Sequence, residues 1–417
     1  MSVPQSVGAN NHMEAGLVKP GSNLMKVALF TRYPPTPQQP RGGVESVAVV
    51  LVRALAAMDD LDVHVVTLEG GLVGTVVETH DGATVHRLPG SRWPQIADVL
   101  AGPGRRRLLN YVSAMQPDIL HSHETHGLML GDLTIPHVFT LHGFDTENLR
   151  ADAARFAALR SRLWRLVERR GLARQKHIIS ISPYVRRMIE ALTDATIHDI
   201  DNPVDERFFA VNPIPQGRRV LCVGWLNERK NTLGAIEAFA LAVAHGTEGT
   251  LVIAGQAKEP AYQQKVLDCI ARHNLATRIE LLGHIDHGRL MEELGKASVF
   301  LLPSRQENSP MAIAEAMAAG LPVITSNRCG MPYMVRENTT GFLIDPEDVE
   351  QIADRIKRLL QDPAAALQMG QAGRRVAEQR FAPQRVAGQT QAVYQELVNR
   401  NSVEVPDVFD YNRQAKP

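Results

Sequence analysis

From Lys26 onward, short β-branched runs alternate with stretches whose apolar residues recur at helical spacing. The first set of runs is VALF at 27–30, VHVVTL at 63–68, ATVHRL at 83–88, DILHS at 118–122, HVFTL at 137–141 and HIISIS at 177–182. The pattern restarts after a loop around Asn202, Pro203, Val204 and Asp205, with RVLCVG at 219–224, TLVIAG at 250–255, RIELLG at 278–283, SVFLLP at 298–303 and PVIT at 322–325. Alternation of this kind predicts parallel sheets covered by helices. The stretch after the second set's first strand carries an ordinary core stripe, Ile236, Phe239, Ala240 and Val243. The chain is therefore expected to be α/β, with two Rossmann-like, doubly wound domains at 25–205 and 206–383. Helices at 347–361 and 364–380 lead to a last helix at 384–400 and a tail at 401–417. Ligands of open parallel sheets bind at the carboxyl ends of the strands, so two such domains imply a cleft between those ends.

Composition narrows this picture. The 417 residues suffice for two or three domains with full cores. Lys plus Arg and Asp plus Glu each total 45, so no global field favours nucleic acid or an anionic membrane. The three cysteines, Cys222, Cys269 and Cys329, lack paired spacing, which argues against a disulfide framework or a zinc site and fits a reducing cytoplasm. Residues 1–24 are rich in Gly, Asn, Ser and Pro, lack a signal-peptide apolar core and read as a disordered extension. No run of roughly 18 uncharged apolar residues supports a spanning helix.

The candidate chemistry lies just after strands. Arg41, Gly42, Gly43, Val44 and Glu45 separate the first strand from a helix with apolar Val47, Val50, Leu51 and Leu55. Adjacent glycines let bare backbone approach an anion beside a helix N-terminus, although a tight turn explains such a pair equally well. After the second domain's fourth strand come Pro303, Ser304, Arg305, Gln306, Glu307, Asn308, Ser309 and Pro310, then a helix over 311–319 with Pro310 in its first turn. Glu307 precedes that helix, and Glu315 lies inside it among small apolar residues. An acid there is costly to bury without a partner, and sugar hydroxyls are suitable partners. A solvated loop acid and a salt-bridged helix acid are the plain alternatives.

The run from Glu307 to Glu315, followed by Ala316, Met317, Ala318, Ala319, Gly320, Leu321, Pro322 and Val323, resembles the Glu-x7-Glu signature of family 4 glycosyltransferases. Other pieces fall in that family's order: the Gly42-Gly43 loop, Thr140-Leu141-His142-Gly143, Ile181-Ser182, Asn202-Pro203-Val204-Asp205, Val223-Gly224 leading to Lys230, and Thr340-Gly341-Phe342-Leu343. The match spans about residues 25–400. It implies the two-domain GT-B fold, a nucleotide diphosphate-sugar donor held by the second domain, an acceptor held by the first, and retention of anomeric configuration. Carried over, Glu307 binds donor-sugar hydroxyls and Glu315 the ribose, while Asn308, Ser309, Pro310 and Met311 lie along sugar and phosphates. Gly42 and Gly43 face the diphosphate with the amide of Gly43, Lys230 neutralises phosphate, and His142 contacts the donor near the reacting carbon. No metal or other cofactor is expected, and no acidic nucleophile is evident on the opposite face. His121, His123 and His126 could suggest a metal but lack supporting acids.

This sequence departs from the family's usual residues at four positions: Trp225 for Arg, Asn231 and Asn308 for Gly, and Tyr333 for Glu. With Trp225 in place of one phosphate cation, Lys230 is expected to dominate. Arg229 is the less well placed substitute, because neighbours at a helix start point roughly 100° apart. The donor base (UDP, GDP or ADP), the sugar and the acceptor, whether glycan, lipid-linked glycan or small molecule, are not legible. A nucleotide-sugar 2-epimerase and a silent nucleotide-sugar-binding protein are the competing readings. Arg150–Lys176 reads as a basic amphipathic helix with Phe156, Leu159, Leu163 and Val167 on one face, suited either to an ordinary domain role or to peripheral contact with an anionic membrane.

Overall fold

The computed structural model describes residues 24–403 apart from 41, 94, 124, 131–132 and 144–156. Most of the expected extension and tail, Arg41 and the start of the basic helix lie outside the described residues. The first sheet contains β1 (Met25–Phe30), β2 (Leu61–Glu69), β3 (Val76–His80), β4 (Ala83–Pro89), β5 (Ile119–Ser122), β6 (His137–Leu141), β7 (His177–Ser180) and β8 (Thr196–Asp199). Their order is β3-β4-β2-β1-β5-β6-β7-β8, parallel throughout except that β3 runs antiparallel to β4. The second sheet contains β9 (Arg219–Val223), β10 (Thr250–Ala254), β11 (Ile279–Gly283), β12 (Val299–Leu302), β13 (Val323–Ser326) and β14 (Gly341–Ile344). It is wholly parallel, in the order β11-β10-β9-β12-β13-β14.

Both sheets reverse direction of growth beside their first strand, between β1 and β5 and between β9 and β12. Crevices form at such switch points because the connections leave to opposite faces. Central strands are buried on both sides, as VHVV and VFLL runs require: Val27, Val65, Val220 and Val299 are fully inaccessible. The predicted stripe residues Ile236 and Phe239 are likewise fully buried.

Three strands were not among the expected runs. In β3 Val76 and Val77 stand exposed on an antiparallel edge, while β8 at the other edge buries none of its four residues, so neither shows a core pattern. β14 is a four-residue run between polar turns. The strand expected over 177–182 stops at Ser180, because Ser182 turns to cap the helix Pro183–Ile189 by accepting from the Val185 N–H at 3.3 Å. Pro310 is the N-cap rather than a first-turn residue, and its helix is Met311–Ala318.

The last helix, Pro383–Val403, returns to the first sheet. Val386, Val393, Tyr394 and Leu397 join the core around Val27 and Val63. The basic segment forms the helix Ala157–Leu172, but its buried seam is not the one expected. Trp164 and Val167 pack on Val99, whereas Leu163 points outward; Phe156 and the Leu159 side chain lie outside the described residues.

Candidate active site

A cleft of about 580 Å³ opens between the carboxyl ends of the two sheets. Its walls come from segments that follow strands: Gly42 and Gly43 after β1, His123 after β5, His142 after β6, Trp225 to Lys230 after β9, Gly255 after β10, His284 after β11, and Glu307 to Met311 after β12. Gly42, Gly43, His142, Arg229, Lys230, Glu307, Asn308, Ser309, Pro310, Met311 and Glu315, all named from the sequence, line this one space. Gly42, in extended conformation, is the N-cap of the helix Gly43–Ala56. A side chain added to Gly43 would stand 3.6 Å from Met311 Cγ, so the first turns of two helices from opposite sheets face one another. The leading N–H groups of both turns have no intrahelical partner.

Charge converges on Glu307. Lys230 Nζ lies 2.6 Å and Arg229 Nη1 2.8 Å from the same oxygen, Glu307 Oε1. Arg229 also donates to the Gln306 carbonyl at 3.2 Å. The two side chains, expected to diverge and so unlikely to reach the same phosphate, converge here on one carboxylate oxygen. Both residues sit in the turn ahead of the helix Thr232–Ala244, not on it, so helical divergence does not separate them. The turn closes through the Asn227 side chain, which accepts from the Lys230 N–H at 2.8 Å, and through Asn231 at φ 54°. Asparagine tolerates that left-handed backbone, which accounts for Asn231 where glycine is usual. Lys230 itself lies along Gly224, whose Cβ, if present, would meet Lys230 Cε at 3.2 Å.

Glu315 is buried on the Met311–Ala318 helix and borders the cleft. Burial first, then the charge of Asp205, pushes its carboxyl up to about 7, against the opposing pull of Lys230. Between the ordinary 4.5 and 7 the folded chain therefore holds a proton that the unfolded chain has released. This group's contribution to stability is full below pH 4.5 and is lost as pH rises through 7, a change on the order of 3 kcal/mol. Glu315→Gln is expected to melt several degrees above wild type at pH 8 and close to it at pH 4.5. A gap that does not widen with pH contradicts this burial argument.

His142 Nε2 and His123 Nδ1 are 3.0 Å apart and share one hydrogen bond. Burial lowers His142 to about 4 and His123 well below its ordinary range, so both rings are neutral near pH 7. Behind them, His121 Nδ1 meets Tyr394 Oη at 2.6 Å and its Nε2 meets Thr140 Oγ1 at 2.6 Å. Among the described residues no three His, Cys, Asp or Glu side chains converge as a metal site. The His126 side chain lies outside the described residues.

Asn308 joins the two halves. Its Nδ2 donates to the His142 carbonyl at 3.1 Å, and its own carbonyl accepts from Ser182 Oγ at 2.9 Å. A Cβ on Gly143 would fall 2.3 Å from Asn308 Nδ2, so a larger residue there would have to displace this amide. Tyr333 makes a second bridge: Arg187 Nη1 donates to its hydroxyl at 2.5 Å and the guanidinium lies 5.3 Å from the ring centre. Two of the four departures from the family pattern thus bridge the two halves. The neutral bonds at Asn308 are each worth about 0.5–1.5 kcal/mol. The double variant Ser182→Ala/Asn308→Gly is expected to open the ligand-free protein, giving a larger radius of gyration by small-angle scattering. An unchanged profile contradicts the bridging role.

Two cleft residues were not assigned from the sequence: His123 as the partner of His142, and Glu168, a buried acid of the Ala157–Leu172 helix that lines the first-sheet side of the cleft. The tandem of His123 two residues after His121 at a strand end was the available signal for the first. Glu168 sat unmarked in an arginine-rich helix. Trp225 lines the cleft, with Lys258 Nζ 5.0 Å from its ring centre.

Comparison with known proteins agrees with this architecture. Residues 41–208 match Glycosyltransferase Family 4, and residues 204–376 match Glycosyl transferases group 1. Glycogen synthase of Mycobacterium tuberculosis is 31% identical over 301 residues, covering 70% of this chain and 71% of that protein. Alpha-maltose-1-phosphate synthase of the same organism is 26% identical over 405 residues, covering 89% and 100%. Among solved structures, sucrose-phosphate synthase from Thermosynechococcus elongatus superposes with a TM-score of 0.75 at 23% identity, covering 90% of this chain and all of that one. HepE from Anabaena in complex with UDP gives 0.67 at 19%, covering 89% and 100%. The two facing α/β units are the GT-B fold, and the chain belongs to the family 4, group 1 glycosyltransferases, retaining enzymes that use nucleotide-sugar donors.

Proposed function

We propose that the cleft binds the donor with its diphosphate between Lys230, Arg229, the Gly43 amide and the leading amides of the Met311–Ala318 helix, and transfers the sugar without a metal. The observation that carries this reading is the meeting of two cations on one anionic oxygen, in a turn that lines the same cleft as two helix N-termini. As the nucleoside diphosphate departs, negative charge grows on phosphate, and preorganised N–H groups and cations stabilise it where it forms. In the free protein Glu307 holds those cations; in the complex it turns to donor hydroxyls while phosphate replaces it.

Glu315 takes the ribose, and Asn308, Ser309, Pro310 and Met311 border sugar and phosphates. Gly42 keeps the approach to Gly43 free of side chains. Neutral His142, held by His123, contacts the donor near its reacting carbon. The acceptor enters from the first sheet, on the side of Glu168, and loses its proton to the leaving phosphate on the same face. The three free cysteines suit a reducing, cytoplasmic setting.

The test is incubation with UDP-, GDP- and ADP-sugars, following released nucleotide and glycosylated product. HepE was solved with UDP and with UDP-glucose, which makes UDP-sugars the first donors to try. Isomerised donor, or binding with no turnover, would overturn the assignment for this chain.

A further inference from the structure

The helix Ala157–Leu172 has two unlike sides. Its inner side packs through Trp164 and Val167 on Val99, and Glu168 and Leu172 reach the cleft. Its outer side presents Arg162, Leu163, Arg165, Leu166, Arg169 and Arg170, all exposed. Leu163 and Leu166 are 47% and 48% exposed, one turn apart and flanked by guanidinium groups. From Ser161 onward the helix has a single acid, Glu168, and it is buried. Acids and bases balance at 45 each over the chain, so this is a local excess of positive charge. The adjoining segment adds exposed Trp93 and Leu100.

Exposed arginines alone describe an ordinary solvated face. Two leucines standing out between four arginines do not, because water gains nothing from them and an interface of lipid headgroups satisfies both kinds of side chain. Guanidinium groups pair with phosphates while leucines enter the acyl boundary. Among the described residues no helix is long and apolar enough to cross a membrane, so contact here is lateral.

We propose that this face docks the protein on an anionic phospholipid bilayer, which holds the cleft edge at Glu168 and Leu172, on the helix's inner side, about 10 Å (one helix diameter) from the membrane surface, so that the acceptor is membrane-borne. The second half of this statement rests on the reading of the first-sheet side as the acceptor side; the docking itself does not.

The experiment is co-sedimentation of the full chain with vesicles of phosphatidylcholine, alone or with about one third phosphatidylglycerol, a content chosen to give the surface potential on which basic residues act. Wild type is expected to bind the anionic vesicles, to bind neutral ones far less, and to be released by salt. Replacing Arg162, Arg165, Arg169 and Arg170 with Gln should weaken partitioning by about 100-fold or more, at roughly fivefold per arginine. Leu163→Ser/Leu166→Ser should weaken it about tenfold or more and leave the residual binding salt-sensitive. Both variants should retain nucleotide release from the soluble donor, which shows that they fold and keeps this test separate from the donor chemistry. Failure of wild type to bind anionic vesicles at low salt, undiminished binding by the arginine variant, or tighter binding to duplex RNA than to the vesicles would overturn the proposal.

Discussion

Lys230→Ala and Arg229→Ala are each expected to lower kcat/KM by roughly 100-fold, the scale for losing one preorganised anion-stabilising group. Helical geometry would have assigned nearly the whole effect to Lys230. The turn over 227–231 instead brings both side chains to Glu307 Oε1, 2.6 and 2.8 Å away, so the proposed clamp draws on both. The family's usual phosphate arginine is Trp225 here, and Arg229 occupies the same cleft from four residues further on. A rescue follows from this displacement: Trp225→Arg should recover at least tenfold of the activity lost in Arg229→Ala, as expected when a cation is restored to an anion site. Near-normal kinetics for Arg229→Ala would leave Lys230 as the clamp alone.

Glu307→Gln is expected to have opposite effects on two ligands. Transfer should fall by about 10- to 100-fold, because a charged acceptor of sugar hydroxyl bonds becomes neutral, a change of about 1.5–3 kcal/mol. Bare nucleoside diphosphate should bind as well as before or several-fold more tightly, since Lys230 and Arg229 no longer have a carboxylate to leave. Calorimetry with UDP and with the accepted nucleotide-sugar separates the two effects. Equal losses for both ligands would place Glu307 with the phosphates instead of the sugar.

The architecture was legible because central parallel strands are buried on both faces and write themselves as continuous apolar runs, as VALF and SVFLLP do. The edge strands of the first sheet write no such run, since β3 leaves Val76 and Val77 in water and β8 buries nothing, whereas β11 at an edge of the second sheet was legible as RIELLG. At the site, glycines and acids placed after strands pointed to the cleft. The sequence could not disclose side-chain convergence in a turn, which depends on Asn231 adopting φ 54° and on Gly224 leaving room for Lys230. Nor could it show that Asn308 and Tyr333 bridge the two halves, since their partners, His142, Ser182 and Arg187, lie more than 120 residues away. The outward turn of Leu163 follows from Trp164 claiming the buried seam, a choice between adjacent residues that hydropathy alone leaves open.

A diphosphate clamp made of protein groups alone is tested by the initial rate of nucleotide release in excess EDTA. With the accepted donor and acceptor, the rate should stay within about twofold of the untreated value, because Lys230, Arg229 and the helix amides supply the positive charge. Loss of turnover in EDTA, restored by Mg²⁺ or Mn²⁺, would contradict it.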